Sequence, residues 1–129
     1  MHVENIIVGA FSTALAEDEM IEFIEVPKLS SSARSGYYKF SRKTGDFAEA
    51  SAAVVLNPET RTARLFLGAL RSTPVALAGL ASKVAVEGQG AASDEAVATA
   101  LEKTIPDLES VERRMAVAVI TRVVRNALA

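Results

Sequence analysis

Apolar positions recur every second residue through the front half of the chain and every three to four residues through the back half. The sequence therefore predicts strands first and helices afterwards. Ile6-Ile7-Val8 is a short extended piece ahead of Gly9, within a mixed segment running from Glu4 to Glu17. Residues 20–26 alternate imperfectly and stop at Pro27, which has no N–H to donate to a ladder, and they read as a strand. Residues 28–36 are serine-rich without apolar periodicity and read as an exposed loop. Residues 37–41 alternate aromatic and polar, Lys43-Thr44-Gly45-Asp46 carries turn chemistry, and residues 48–56 form a second strand. Its Ala48, Ala50, Ala52, Val54 and Leu56 share one face, and side chains that small call for a close neighbour such as a helix. Asn57-Pro58-Glu59-Thr60 turns the chain, and residues 61–70 return with Ala63, Leu65, Leu67 and Ala69 on one face, completing an antiparallel meander.

The period changes after Ser72. Thr73-Pro74 pairs an N-cap residue with proline at the first helical position, predicting a short helix over residues 75–82. Gly88-Gln89-Gly90 breaks the chain, and Ser93-Asp94-Glu95 opens a second helix that runs to about Thr104 and stops at Pro106. Residues 109–128 form the longest helix, with Val111, Met115, Val119, Ile120, Val123, Val124 and Ala127 in one stripe and Arg114, Arg122 and Arg125 on the other side. Strands followed by helices define an α+β fold: an antiparallel sheet of three to four strands, then about three helices packed on one face.

Composition narrows the chemistry. The 129 residues suit one domain, and 50% of them are hydrophobic, enough to build a core without staples. There is no cysteine, which excludes disulfides, thiolate nucleophiles and cysteine-held iron–sulfur or zinc within this chain. The single histidine, His2, gives no basis for a histidine metal site or triad. A formal charge of -2 argues against nucleic acid as a partner. No charged n-region precedes Lys28 and no apolar run approaches the roughly 20 residues of a membrane span, so no membrane partner and a cytoplasmic location are expected.

Residues 37–48 stand out. They hold three cations, four aromatics, one glycine and one carboxylate in twelve positions. Arg42 offers a planar fork to a phosphate or carboxylate, Lys39 a point charge, and Asp46 a turn cap or an acceptor for a ligand N–H. Tyr37 and Tyr38 point to opposite faces, so one is expected inside and the other toward a partner. Gly45 permits a positive φ or a close approach. A solvated hairpin edge and a ligand-facing loop both satisfy these residues. Elsewhere the inventory is thin: Glu17-Asp18-Glu19 reads as a helix start or acidic turn, Ser30 to Ser32 lack a base, and Gly88-x-Gly90 lacks the preceding strand and third glycine of a dinucleotide fingerprint.

Tyr38-x-Phe40-x-Arg42-Lys43-x-Gly45-Asp46-Phe47-Ala48 resembles the Y-x-K-F-x-R-R-x-G-D-F-A signature in the C-terminal domain of the flavoprotein (medium) subunits of molybdenum hydroxylases of the carbon monoxide dehydrogenase and xanthine dehydrogenase type. The similarity extends through Val8-Gly9-Ala10-Phe11-Ser12-Thr13-Ala14-Leu15 with Glu19 and Pro27, through Gly68-Ala69-Leu70 with Pro74, and through Ser110, Arg113, Arg114 and Arg122. It implies one domain over residues 1–129 with the α+β order already given. It also implies a subunit that binds FAD and passes electrons from iron–sulfur clusters of a small subunit to an external acceptor, the substrate being oxidised at molybdenum in a large subunit. Tyr38, Lys39, Arg42 and Asp46 are the implied cofactor-side residues, as positioning and electrostatic groups; no residue is implied to be catalytic and none to bind metal. The sequence departs from the pattern at Lys43, where the family has a second arginine, at Ala69, where it has a second glycine, and at Glu112, where an aromatic is common.

The family's N-terminal FAD-binding domain has no counterpart in these residues, so the isolated chain is expected to hold FAD weakly or not at all and to be inactive by itself. The expected role is completion of an FAD site and docking to the FAD-binding domain, the iron–sulfur subunit and the molybdenum subunit, with homo-oligomerisation open. The alternative is a non-catalytic assembly or interaction module on the same fold.

Overall fold

The computed structural model describes residues 2–129 and turns the period-two stretches into an antiparallel sheet with helices on one side; Met1 lies outside the described residues. A short 3-10 turn, Val3–Asn5, precedes a small hairpin of β1 (Ile7–Gly9) and β2 (Ser12–Thr13). The main sheet contains β3 (Arg34–Phe40), β4 (Ala50–Asn57), β5 (Thr62–Gly68) and β6 (Val75–Ala76) in that spatial order, all neighbours antiparallel. Then follow α1 (Ala78–Glu87), a 3-10 turn at Gly88–Ala92, α2 (Asp94–Thr104) and α3 (Ser110–Leu128).

The small-residue face of β4 decides where the long helix lies. Ala50, Ala52, Val54 and Leu56 are buried, and α3 packs across β3 and β4 above them, while α1 covers β5 over Leu65 and Leu67. Val119, Ile120, Val123 and Val124 of α3 fill the core from the other side, with Val97 and Leu101 of α2 behind them. The helix comes very close at Gly36, where an added Cβ would lie 3.0 Å from the Val123 carbonyl oxygen. A side chain there would have to push the Val123 and Ala127 turn of α3 outward, so glycine suits the close approach.

Local signals set the helix starts. Ser93 Oγ accepts the Ala96 N–H at the head of α2. Glu109 and Glu112 form a reciprocal capping box at the head of α3, the Glu109 N–H donating to Glu112 Oε2 at 3.1 Å. The residue that departs from the family pattern at 112 thus has a structural task. Arg71, just past the sheet, reaches both Asp107 (3.0 Å) and Glu112 (3.6 Å), tying the end of the sheet to the α2–α3 connection. The hydrogen bond from Arg71 holds the Asp107 carboxyl below its ordinary value of 3.8.

Two expected elements differ. Residues 20–26 form no strand: a strand needs a ladder, and no segment among the described residues pairs with them. Residues 75–82 do not begin as a helix, because Val75 and Ala76 pair with Leu67 and Phe66 as β6. The helix starts only at Ala78, after Leu77 has entered the core. Satisfying the edge of β5 and burying a leucine outweighed the local Thr-Pro start signal. Smaller shifts follow the same logic. β3 starts at Arg34, inside the expected loop, and Val111 at the head of the α3 stripe is exposed, lining an open groove with Tyr38 and Phe40 instead of entering the core.

Candidate functional site

The sheet has one uncovered face, and the β3–β4 hairpin stands at its end. Pairing register sets the rows of that face: Tyr37 beside Ala53 and Phe66, Lys39 beside Ser51 and Gly68, Ser35 beside Val55 and Arg64. Tyr37 is 65% exposed, and Val55 and Phe66 are also accessible. Lys39 and Arg64 are the charged residues of these rows, and no carboxylate shares them. The face is therefore apolar and aromatic at its centre and cationic at its margins.

The hairpin itself is ordered by its own hydrogen bonds. Gly45 takes a φ of 93°, and the Asp46 N–H donates to the Lys43 carbonyl at 3.2 Å. Ser41 Oγ donates to the same carbonyl, and the Glu49 N–H returns to the Phe40 carbonyl at 2.8 Å. Lys39 Nζ donates to the Asp46 carbonyl at 3.0 Å, so the lysine bends toward the loop. Arg42 Nε lies 2.6 Å from Glu49 Oε1, yet its side chain remains 81% exposed. Phe47 projects beside it, almost wholly accessible. An exposed arginine paired once on one edge keeps its other N–H groups for a partner.

Four residues were expected to share a cofactor-facing site. Lys39, Arg42 and Asp46 do cluster at the hairpin. Tyr38 is on the opposite side of the sheet, packed against the core, with the Arg122 guanidinium 4.8 Å from its ring centroid. As the alternation required, Tyr38 goes in and Tyr37 out. Tyr38, Phe40, Val111 and Met115 line a shallow groove of about 530 Å³ between β3 and α3, with Arg114 and Arg122 on its rim.

The remaining candidates are structural. Glu17-Asp18-Glu19 makes a turn, closed by the Ala16 N–H to Glu19 Oε2 at 2.9 Å. Ser30 Oγ accepts from Asn57 Nδ2 at 3.1 Å, and Gly88 to Ala92 is a one-turn connector. His2 is exposed. The Arg71–Asp107–Glu112 clasp and the Tyr38–Arg122 stack went unforeseen. Their partners lie far apart in sequence, and no local pattern marks them.

A four-stranded antiparallel sheet with helices on one face and a cationic hairpin at its open end defines an α+β fold whose second sheet face carries no helix. No family model matches the sequence, and no curated protein matches it. Solved structures do. The chain is 28% identical to a chain of the cyanide-inactivated copper- and molybdenum-containing CO dehydrogenase, with a TM-score of 0.79, over 96% of this chain and 46% of that one. It is 27% identical, with a TM-score of 0.70 and the same coverage, to a chain of the carbon monoxide dehydrogenase of Hydrogenophaga pseudoflava that lacks the Mo-pyranopterin moiety of its molybdenum cofactor. Quinoline 2-oxidoreductase of Pseudomonas putida 86 shares the fold at 20% identity and a TM-score of 0.74, over 97% of this chain and 46% of that one. The chain thus spans about half the length of the chains it matches. The resemblance to the C-terminal domain of a molybdenum-hydroxylase medium subunit is borne out.

Proposed function

We infer that this chain completes an FAD site in a molybdenum-hydroxylase assembly and docks the flavoprotein to its neighbours. The observation that carries this is the uncovered face ending in Lys39 and Arg42, on a fold similar over nearly its whole length to CO dehydrogenase chains. An open sheet face with aromatic and aliphatic side chains is stable in water only as a modest patch, and it becomes useful when a partner covers it.

The residues present fit one wall of a flavin site. Tyr37 supplies an aromatic surface, Lys39 follows it on the same sheet face, and Arg42 adds positive charge on the adjoining hairpin. They do not supply a pyrophosphate cradle: the Gly88-x-Gly90 segment is a connector between α1 and α2, not a turn from strand to helix. The cradle belongs to sequence outside these 129 residues. When bound, FAD relays electrons between one-electron and two-electron partners, and cations near its ring favour the reduced anionic form. Lys39 and Arg42 perform that electrostatic task, Asp46 holds the turn that presents them, and Tyr38 anchors β3 from beneath.

The experiment is reconstitution with the FAD-binding portion of a medium subunit. Flavin absorbance co-eluting with the pair is expected, and Lys39→Ala with Arg42→Ala should lower the flavin midpoint potential relative to wild type. Failure of the pair to retain flavin under conditions where both components are folded would refute the inference. It would leave the assembly-module function, which the unpaired Arg114 and Arg125 independently favour; neither lies in an ion pair among the described residues.

A further inference from the structure

The segment before β3 is the least explained part of the molecule. Met20, Phe23, Ile24 and Val26 are between 70% and 86% exposed, and beyond a shallow contact with Ile6 and Leu15 they are left open to solvent. Carboxylates alternate with these residues: Glu17, Asp18, Glu19, Glu22 and Glu25, with Lys28 as the one cation before the loop ends. An acidic segment of alternating apolar residues, without regular structure or a ladder partner, is suited to add as a strand to a free edge.

A free edge is present in the same chain. β3 is the outer strand of the sheet and pairs only with β4. Beside that edge lies the groove floored by Tyr38, Phe40, Val111 and Met115, rimmed by Arg114 and Arg122. The chemistry matches that of the arm. One face of an extended residue 19–25 segment presents Ile21 and Phe23 between Glu19 and Glu25, which stand about 20 Å apart. On α3, Arg114 and Arg122 rim the groove about 12 Å apart along the helix axis, and Arg125, about 17 Å from Arg114, extends the same cationic row beyond the groove. Residues 20–26 also match the seven residues of β3 in length.

The arm is held away from its own edge. Ala33 N–H donates to the Ser30 carbonyl, and Asn57 Nδ2, at the far end of β4, donates to Ser30 Oγ. Asn57 belongs to the row of the uncovered face, so the chain leaves β3 across the sheet rather than alongside its outer edge. A second molecule's edge is open to the arm.

We propose that two copies of this chain exchange arms, residues 19–26 of each adding as a strand to β3 of the other, with Ile21 and Phe23 in the groove and Glu19 and Glu25 facing the Arg114–Arg125 row of α3. The contact is isologous and closes as a two-fold dimer. It leaves the uncovered sheet face and the Lys39–Arg42 hairpin free, so it does not depend on the flavin inference.

Sedimentation velocity on the full chain over a range of concentrations tests this. A dimer is expected, weakened by about tenfold or more in high salt or by either of two charge reversals, Glu19→Lys with Glu25→Lys, or Arg114→Glu with Arg125→Glu. Both reversals are on the surface and leave the Tyr38–Arg122 stack intact; circular dichroism checks their folding. Mixed in equal amounts, the two reversed proteins should dimerise again. A monomer at every concentration overturns the proposal, and so does a dimer indifferent to both reversals. A monomer whose arm amides are protected from hydrogen exchange also overturns it, since the arm would then lie on its own chain.

Discussion

Ala69 follows the last residue of β5 with a φ of 72°, in the left-handed region that costs a residue bearing a Cβ roughly 1–2 kcal/mol. The sequence pattern that this chain resembles has a second glycine at this step; here an alanine takes the left-handed turn. Replacing Ala69 with glycine removes the Cβ penalty but adds unfolded-state freedom worth about 0.5–1 kcal/mol. The exposed methyl contributes little packing. The balance is a net stabilisation of about 0.5–1 kcal/mol, or a Tm rise of about 2–4 °C for a chain of this size. Urea unfolding should show a higher midpoint with an unchanged slope. Two controls bracket the effect. Arg61→Gly, at a φ of 51° in the β4–β5 turn, should shift in the same direction, and Ala63→Gly, inside β5, should destabilise. An Ala69→Gly protein no more stable than wild type would refute the strain argument.

Gly36→Val should destabilise by about 1–3 kcal/mol, since its Cβ would press on the Val123 carbonyl of a helix that cannot move without disturbing the core; a wild-type unfolding midpoint would contradict the close approach. Asp107→Asn tests the clasp. Because Arg71 lowers the carboxyl's value in the folded state, its stabilisation is complete above the unfolded value near 3.8 and is lost as pH falls through the folded one. The stability gap between wild type and Asp107→Asn should therefore narrow from pH 7 to pH 3 in urea titrations, and a gap independent of pH would dismiss the ion pair as its source.

Much of the fold was legible because its signals are local. Ser93 and Pro106 bracket α2, the three- and four-residue stripe defines α3, and the alternating alanines of β4 announce a helix above them. The failures share a cause. Thr73-Pro74 is a sound helix start, but β5 needed a partner for its edge and took Val75 and Ala76. Residues 20–26 alternate as a strand should, yet alternation cannot say whether an edge exists for them to join. At the site, the cation-rich hairpin was visible in twelve consecutive residues, whereas the separation of Tyr38 from Lys39 across the sheet gained its meaning only when α3 covered one face.

The sequence by itself determined the order of strands and helices, the turn at Gly45, and the concentration of Lys39, Arg42 and Asp46 in one hairpin. These depend on backbone periods and side-chain chemistry within a few residues. Only the tertiary structure decided which sheet face stays open, that Arg122 lies over Tyr38, and that an acidic apolar arm and an arginine-rimmed groove are left unpaired in the same chain. Those outcomes depend on contacts between residues tens of positions apart, where packing and ladder satisfaction outweigh local preference.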